Sequence, residues 1–275
     1  MQRRAARALA LYGGLLLACA LRTPSAATAD TVLITGANSG LGLELAKQYA
    51  AQAWTVIATH RRDGTPETLA ALAAEHPNVR IERMDVASIA EVKALATKLK
   101  GLPVDVLINN AGIYSDRAAC SDEACRGEDS TQTFGEIDYE LFDTIMAVNV
   151  RGPLLVSETF IDNVRASRQK KLVSISSTNG SITFTLGGSG AIAYRASKAA
   201  LNREMQLVAV HERAAGVTVL LLHPGAVLTE RQAHLTFPGM IQMQPSVAGM
   251  IDVIAKATIA DTGRFIQYDG TTAPW

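Results

Sequence analysis

Thr31-Val32-Leu33-Ile34-Thr35-Gly36-Ala37-Asn38-Ser39-Gly40-Leu41-Gly42 is the stretch that decides the fold. Thr31 to Thr35 is a short apolar run with the length and β-branched composition of a strand buried on both faces. Three glycines follow at once, and a helical apolar pattern takes over from Leu43. Glycine permits the tight turn and the close approach of backbone to a ligand, and the open N–H groups of a following helix favour a pyrophosphate. The spacing is Gly-x3-Gly-x-Gly rather than the commoner Gly-x-Gly-x2-Gly. The dinucleotide reading therefore rests on the strand, turn and helix context, against the plainer reading of a glycine-rich turn with no ligand.

Outward from this unit the same alternation continues. Apolar runs recur at Trp54 to Thr59, Val79 to Met84, Val104 to Ile108, Lys171 to Ile175, Val217 to Leu222 and Arg264 to Gln267, with stretches of helical spacing between them. Strands that alternate with helices predict a doubly wound α/β domain, a parallel sheet of about seven strands with helices on both faces. No internal repeat or linker interrupts it, so residues 30–275 read as one domain. The apolar fraction is 48%, formal net charge is zero and like charges form no long run, which argues against a nucleic-acid stripe or a polybasic membrane patch. A small-molecule ligand is expected.

Residues 1–29 differ from the rest. Arg3, Arg4 and Arg7 precede uncharged, mostly apolar residues from Ala8 to Leu21, and Ala27-Thr28-Ala29 closes the segment. Basic start, apolar middle and A-x-A end are the parts of an export signal. The apolar part would rise only about 21 Å as a helix against a hydrocarbon layer of ~30 Å, so no stable membrane span is expected. Cleavage after Ala29 would leave 22 basic and 26 acidic residues, a mature charge of −4 in a periplasmic or secreted chain. An organelle transit peptide, a lipoprotein site at Cys19 and a cytoplasmic chain are the alternatives. Cys120 and Cys125 then remain in one polar loop, either as a small disulfide or as two free thiols. No Cys or His pair beside them has metal-ligand spacing, so no metal site is expected.

Further positions gather at the carboxyl ends of strands, where ligands of open α/β sheets collect. The second strand ends His60-Arg61-Arg62 with no acid to hold the ribose hydroxyls of NAD, and an arginine there would pair with a 2′-phosphate, favouring NADP. Asp85-Val86 follows the third strand, and Asn109-Asn110-Ala111-Gly112 the fourth. In Tyr194-Arg195-Ala196-Ser197-Lys198 a phenol and an ammonium stand four residues apart at the start of a long helical pattern, on one helix face. A neighbouring cation favours the phenolate and would lower the Tyr194 pKa, fitting it for acid–base work. A surface tyrosine beside a solvated lysine is the bland alternative.

Taken in order, TGxxxGxG, Asp85-Val86, NNAG, Val148-Asn149-Val150, Ser176-Ser177, YxxxK and His223-Pro224-Gly225 with Thr229 make the chain resemble a short-chain dehydrogenase/reductase from about Thr31 to the C-terminus. Tyr194 to Asn202, His223-Pro224-Gly225 and the close from Tyr268 to Trp275 look most like the C-factor and sniffer branch of carbonyl-reductase-like members. The resemblance implies that Gly36, Asn38, Gly40, Leu41 and Gly42 contact the phosphates and riboses of NADP. It places Arg61 on the 2′-phosphate, Asp85 and Val86 at the adenine, and Asn109 and Gly112 at the middle of the dinucleotide. Lys198 would hold the nicotinamide ribose, with Pro224, Gly225 and Thr229 on the carboxamide side.

The resemblance also implies four catalytic residues. Tyr194 would exchange a proton with the substrate oxygen, Lys198 would lower its pKa, Ser177 would hydrogen-bond the substrate oxygen, and Asn149 would distort its helix and hold a water for proton return. The family most often places the serine thirteen residues before the tyrosine, here Ser181, but the local sequence matches at Ser177. Ser181 to Gly190 is then a longer loop, with Gly187 and Gly188 in it, and the polar stretch from Tyr114 to Glu136 is longer than a minimal connection. It could border the pocket, form a lid or decorate the surface. Met240, Met243 and Met250 could line a pocket or pack in the core, and His223 is expected to pack at its turn.

Two functions follow. The first is NAD(P)H-dependent reduction of a carbonyl to an alcohol. The second is a cofactor-binding signalling or interaction protein with little turnover. The four-residue set favours the first; an export signal, which separates the chain from cellular NADPH, stands against it. Family members often pair through the helices following Asn149 and Tyr194, so the resemblance allows a homodimer or homotetramer, although some related carbonyl reductases are monomers.

Overall fold

The computed structural model of the chain describes residues 29–114, 130–184, 190–228 and 239–275. Residues 1–28 of the expected leader, Cys120 and Cys125, Gly187 and Gly188, and Thr229 lie outside the described residues. Seven strands form one sheet: β1 (Thr31–Ile34), β2 (Thr55–His60), β3 (Val79–Arg83), β4 (Val106–Asn109), β5 (Lys171–Ile175), β6 (Thr218–His223) and β7 (Arg264–Gln267). They are the seven apolar runs of the sequence with their ends moved by a residue or two. All neighbours pair in parallel in the order β3-β2-β1-β4-β5-β6-β7.

Alternate strand residues face opposite layers, which is why the runs are apolar throughout. Val32, Ile34, Val56, Ala58, Val106 and Ile108 pack on α1 (Gly40–Ala51), α2 (Glu67–Glu75) and α7 (Met243–Lys256). Leu33, Ile57, Leu107, Leu172 and Leu221 pack on α3 (Ile89–Lys98), α5 (Gly152–Arg165) and α6 (Ile192–Glu212). Met250 is fully buried in the first layer with Met243 against it, so these two methionines are core rather than pocket lining.

The chain leaves β1 for β2 on one side and returns to β4 on the other, and the strand ends diverge there into a crevice. Two loops are tied together at that point. Thr35 Oγ1 accepts the N–H groups of Asn110 and Ala111 at 3.0 Å each, and Asn110 Nδ2 donates to the carbonyls of Thr35 at 2.8 Å and Gly36 at 3.1 Å. The sequence pattern set the first helix at Leu43, but α1 begins at Gly40, so two of the three glycines lie in its first turn. Glycine inside a helix costs about 1 kcal/mol. It is required at Gly42, where a Cβ would lie 2.4 Å from both Asn110 Nδ2 and the Gly36 carbonyl oxygen.

Ahead of α5, α4 (Tyr139–Met146) is capped by Asp138, whose Oδ1 accepts from the N–H groups of Glu140 and Leu141. A π-helical turn, Ala147–Arg151, then joins α4 to α5. Leu141 and Ile145 of α4 meet Ala193 of α6 in a small apolar cluster with Ile113. This cluster brings the loop after β4 and the start of α6 to one place.

Candidate active site

Tyr194 is the third residue of α6 and Lys198 stands one turn further on. The Lys198 Nζ lies 5.8 Å from the centre of the Tyr194 ring and donates to the Ile175 carbonyl at the end of β5, at 2.9 Å. Lys198 is buried, and burial pushes its ammonium down to about 8. Burial also pushes the Tyr194 phenol up to about 12, with nearby Tyr114 adding to the rise and a hydrogen bond to Ser177 opposing it. The net shift of the phenol is thus upward, where the spacing of Tyr194 and Lys198 suggests a fall. Desolvation of the phenol sets the direction, and the Lys198 ammonium makes its hydrogen bond to a carbonyl rather than to the phenol.

Ser177, at the end of the loop that leaves β5, is buried and accepts the Asn179 N–H at 3.2 Å. Ser181 is engaged elsewhere: its Oγ donates to the Trp275 carbonyl at 2.7 Å and accepts from the Phe184 N–H. Ser177 is thus the serine that acts on the Tyr194 phenol, whereas Ser181 is bonded to Trp275. Between them Gly180 packs on α6 so closely that a Cβ would lie 2.6 Å from the Lys198 carbonyl carbon.

Asn149 sits in the middle of the π-helical turn. Such turns place a side chain where a regular helix would not, and they concentrate at functional sites. Its Nδ2 also donates to Ser197 Oγ at 3.0 Å, and that hydroxyl donates to the Tyr194 carbonyl at 2.7 Å. Gly112 lies in front of this group. A Cβ there would stand 3.4 Å from Asn149 Oδ1 and 3.7 Å from Lys198 Nζ.

The remaining positions flank the crevice. Gly36 has a φ of +65° and its missing Cβ would meet Ala111 Cα at 3.0 Å, so only glycine lets these loops close up. Ser39 makes no side-chain cap on α1 and its first turn holds no acid, which leaves the first-turn N–H groups of Gly40, Leu41 and Gly42 for an anion. Asn38 is half-buried beside them, its carbonyl accepting from Thr68 Oγ1. Arg61 is exposed at the end of β2. Asp85 accepts the Ala87 N–H through Oδ1, and Val86 is buried against Gly152. The Asn109 side chain turns inward and donates to Ser157 Oγ at 2.9 Å, so its amide does not face the crevice. Pro224 accepts from Ser246 Oγ at 2.6 Å, and Gly225 packs at a φ of +82° against Ile241 and Tyr268. His223 is partly buried, with Nε2 3.4 Å from Thr178 Oγ1, and burial pushes its imidazole down to about 4.

Two neighbours of Tyr194 carry no sequence signal. Tyr114 places its ring 4.8 Å from the Tyr194 ring, tilted by 52°. Gln132, from the same long polar stretch, hydrogen-bonds the Tyr194 backbone. Neither stands in a motif, and only the folded chain brings them here.

The family profile described as short chain dehydrogenase matches residues 30–237. The C-signal of Myxococcus xanthus is 34% identical over 185 residues, which are 67% of this chain and all of that protein. Among solved structures, an NADPH-bound carbonyl reductase from chicken fatty liver superposes with a TM-score of 0.79 at 30% identity, over 90% of this chain and 99% of that one. The carbonyl reductase Sniffer of D. melanogaster superposes with a TM-score of 0.73 at 26% identity, over 90% of this chain and all of its own. The chain belongs to the short-chain dehydrogenase family, on its carbonyl-reductase-like branch.

Proposed function

We propose that this short-chain dehydrogenase is an NADPH-dependent reductase that converts an aldehyde or ketone to its alcohol. The observation that carries the reading is the convergence of Ser177, which opposes the rise of the Tyr194 phenol, with Tyr194 itself beside buried Lys198, whose Nζ donates to the Ile175 carbonyl at the carboxyl edge of the sheet. Two hydroxyls meeting at one point can both address a single substrate oxygen. NADPH in the chicken carbonyl reductase supports the choice of cofactor, as do Arg61 and the absence of an acid at the end of β2.

The glycine-lined crevice fits a dinucleotide. Gly36, Asn38, Gly40, Leu41 and Gly42 would hold its phosphates and riboses, Arg61 the 2′-phosphate, and Asp85 and Val86 the adenine. Gly112 would face its middle, with Asn109 contributing through backbone because its amide is committed inward. Lys198 would hold the nicotinamide ribose, and Pro224 and Gly225 the carboxamide side, with Thr229 assigned there by sequence alone.

A bound NADPH would supply the hydride that the carbonyl carbon takes up, ending as NADP+. Tyr194 gives its phenolic proton to the carbonyl oxygen as the new C–H bond forms, so that hydride and proton together make the alcohol. A phenol held near 12 is fully protonated at neutral pH and is loaded as an acid for the far more basic developing alkoxide. Ser177 donates a hydrogen bond to the same oxygen and stabilises its charge. Lys198, a cation below about pH 8, offsets the charge left on the phenolate. Both side-chain N–H groups of Asn149 are donated, to Ile113 and Ser197, so a relay water at Asn149 would be held by an oxygen.

The test is NADPH consumption, with NADH in parallel, over a panel of aldehydes, ketones and quinones. Tyr194→Phe should lose about 10²–10⁴-fold in kcat while still binding NADPH. Tight NADPH binding with no turnover across the panel would favour the signalling or interaction protein instead. We further propose that residues 1–29 direct export, which N-terminal sequencing of the mature chain tests; a retained Met1 would overturn it. Exposed Leu207 and Val210 on the outer face of α6 support a homo-oligomer, readable by light scattering.

A further inference from the structure

We propose that Gln132 is a positioning residue that holds Tyr194 in place for proton transfer, an inference that rests on Tyr194 being the proton donor. Gln132 belongs to the short 3₁₀ turn Ser130–Gln132 within the long polar stretch after β4, yet it is 0% exposed. A buried carboxamide is costly unless its hydrogen bonds are made. Here both ends are used: Nε2 donates to the Tyr114 carbonyl at 2.7 Å, and Oε1 accepts the Tyr194 backbone N–H at 3.0 Å.

The Tyr194 N–H needs such a partner. The first N–H groups of a helix have no intrahelical acceptor, and a Ser, Thr, Asp or Asn at the N-cap normally serves one of them. The N-cap of α6 is Ala191, in the left-handed region with a φ of 57° and no side-chain acceptor. Gln132 performs that service from 62 residues away in sequence. At its other end it fixes the backbone of Tyr114, whose ring leans on the Tyr194 ring.

The hydrogen bonds form a closed circuit. Gln132 joins Tyr194 N–H to the Tyr114 carbonyl, and the preceding residue, Ile113, is held by Asn149. Asn149 reaches Ser197 Oγ, which returns to the Tyr194 carbonyl. Tyr194 is thus gripped at its N–H by Gln132 and at its C=O by Ser197. Gln132 is the link through which the described end of the polar stretch, residues 130–136, meets the site.

Two variants test this beside wild type and Tyr194→Phe, all in the full chain. Gln132→Leu keeps the bulk and loses both bonds. Its kcat should fall about 10- to 100-fold, as expected when a reacting group is displaced by an ångström or so, with the NADPH dissociation constant from nucleotide fluorescence within about twofold of wild type. Gln132→Glu, when protonated, can still donate to the Tyr114 carbonyl and accept from the Tyr194 N–H; ionised, it loses the donor and sets a negative charge beside Tyr194 and Tyr114. Its kcat should therefore approach wild type at low pH and fall through one extra ionisation that wild type and Gln132→Leu lack. An unchanged kcat in Gln132→Leu, NADPH affinity lost in step with kcat, or a Gln132→Glu profile parallel to wild type would overturn the proposal. If Gln132→Leu does not fold, the Gln132→Glu profile decides alone. Should Tyr194→Phe turn over normally, the proton-donor reading falls and this inference with it; an inactive Tyr194→Phe beside a normal Gln132→Leu would sink the inference only.

Discussion

Asn149 closes on the backbone of Ile113 from both sides, its Oδ1 accepting the Ile113 N–H at 2.8 Å and its Nδ2 donating to the Ile113 carbonyl at 2.8 Å. A residue in a π-helical turn thereby fixes the loop that follows β4, and that loop leads straight to Tyr114.

Removing this clamp leaves two backbone groups of Ile113 without their partner. Asn149→Ala should destabilise the protein by about 1–3 kcal/mol in denaturant unfolding. It should also lower kcat, because the loop and Ser197 lose their common anchor. Equal unfolding midpoints for variant and wild type would show that the clamp is dispensable.

Lys198 makes stability depend on pH in a definite direction. Its folded pKa is lowered from 10.5 to about 8, so between those values the unfolded chain keeps a proton that the folded chain has released. Stability contributed at this site rises as pH rises through that window. At pH 7 the burial of the charge costs about 3 kcal/mol, which Lys198→Met removes. Without dinucleotide, Lys198→Met should melt higher than wild type at pH 7, and the gap should narrow toward pH 10. A gap that stays constant from pH 7 to 10 would contradict the burial of a charged Lys198.

Gly180 tests how closely the serine loop must approach α6. A Cβ there would lie 2.6 Å from the Lys198 carbonyl carbon and 2.8 Å from the Ala199 nitrogen, and both are backbone atoms that move only with the helix. Gly180→Ala should cost about 1–3 kcal/mol of stability and reduce kcat together with it. Ser181→Ala, next in sequence but bonded to Trp275, should leave kcat near wild type.

Arg61 is the cofactor-choice prediction. It is exposed at the end of β2, close to the glycine turn through the bond from the Ala37 N–H to the Thr59 carbonyl at 2.8 Å. Arg61→Asp should lower the preference for NADPH over NADH by about 10- to 100-fold, the worth of one charged hydrogen bond plus repulsion of the phosphate. Dissociation constants for both nucleotides measure it, and an unchanged ratio would remove Arg61 from the phosphate site.

Much of this protein could be read from local patterns. The seven apolar runs became the seven strands, because a strand covered on both faces must be apolar along its whole length. The turn from Gly36 to Gly42 and the spacing of Tyr194 and Lys198 were equally legible, since each is a relation among residues a few positions apart. Tertiary structure decided the rest. The start of α1 at Gly40, the choice of Ser177 over Ser181, and the inward turn of the Asn109 amide depend on partners far along the chain. So does Gln132, whose bond to Tyr194 spans 62 residues and belongs to no periodicity. The Tyr194 phenol rose where sequence spacing suggested a fall, because spacing reports which charge is near but not how much water is excluded. Sequence determined which groups share an element; burial, which only the packed chain creates, determined how those groups titrate and which of them meet.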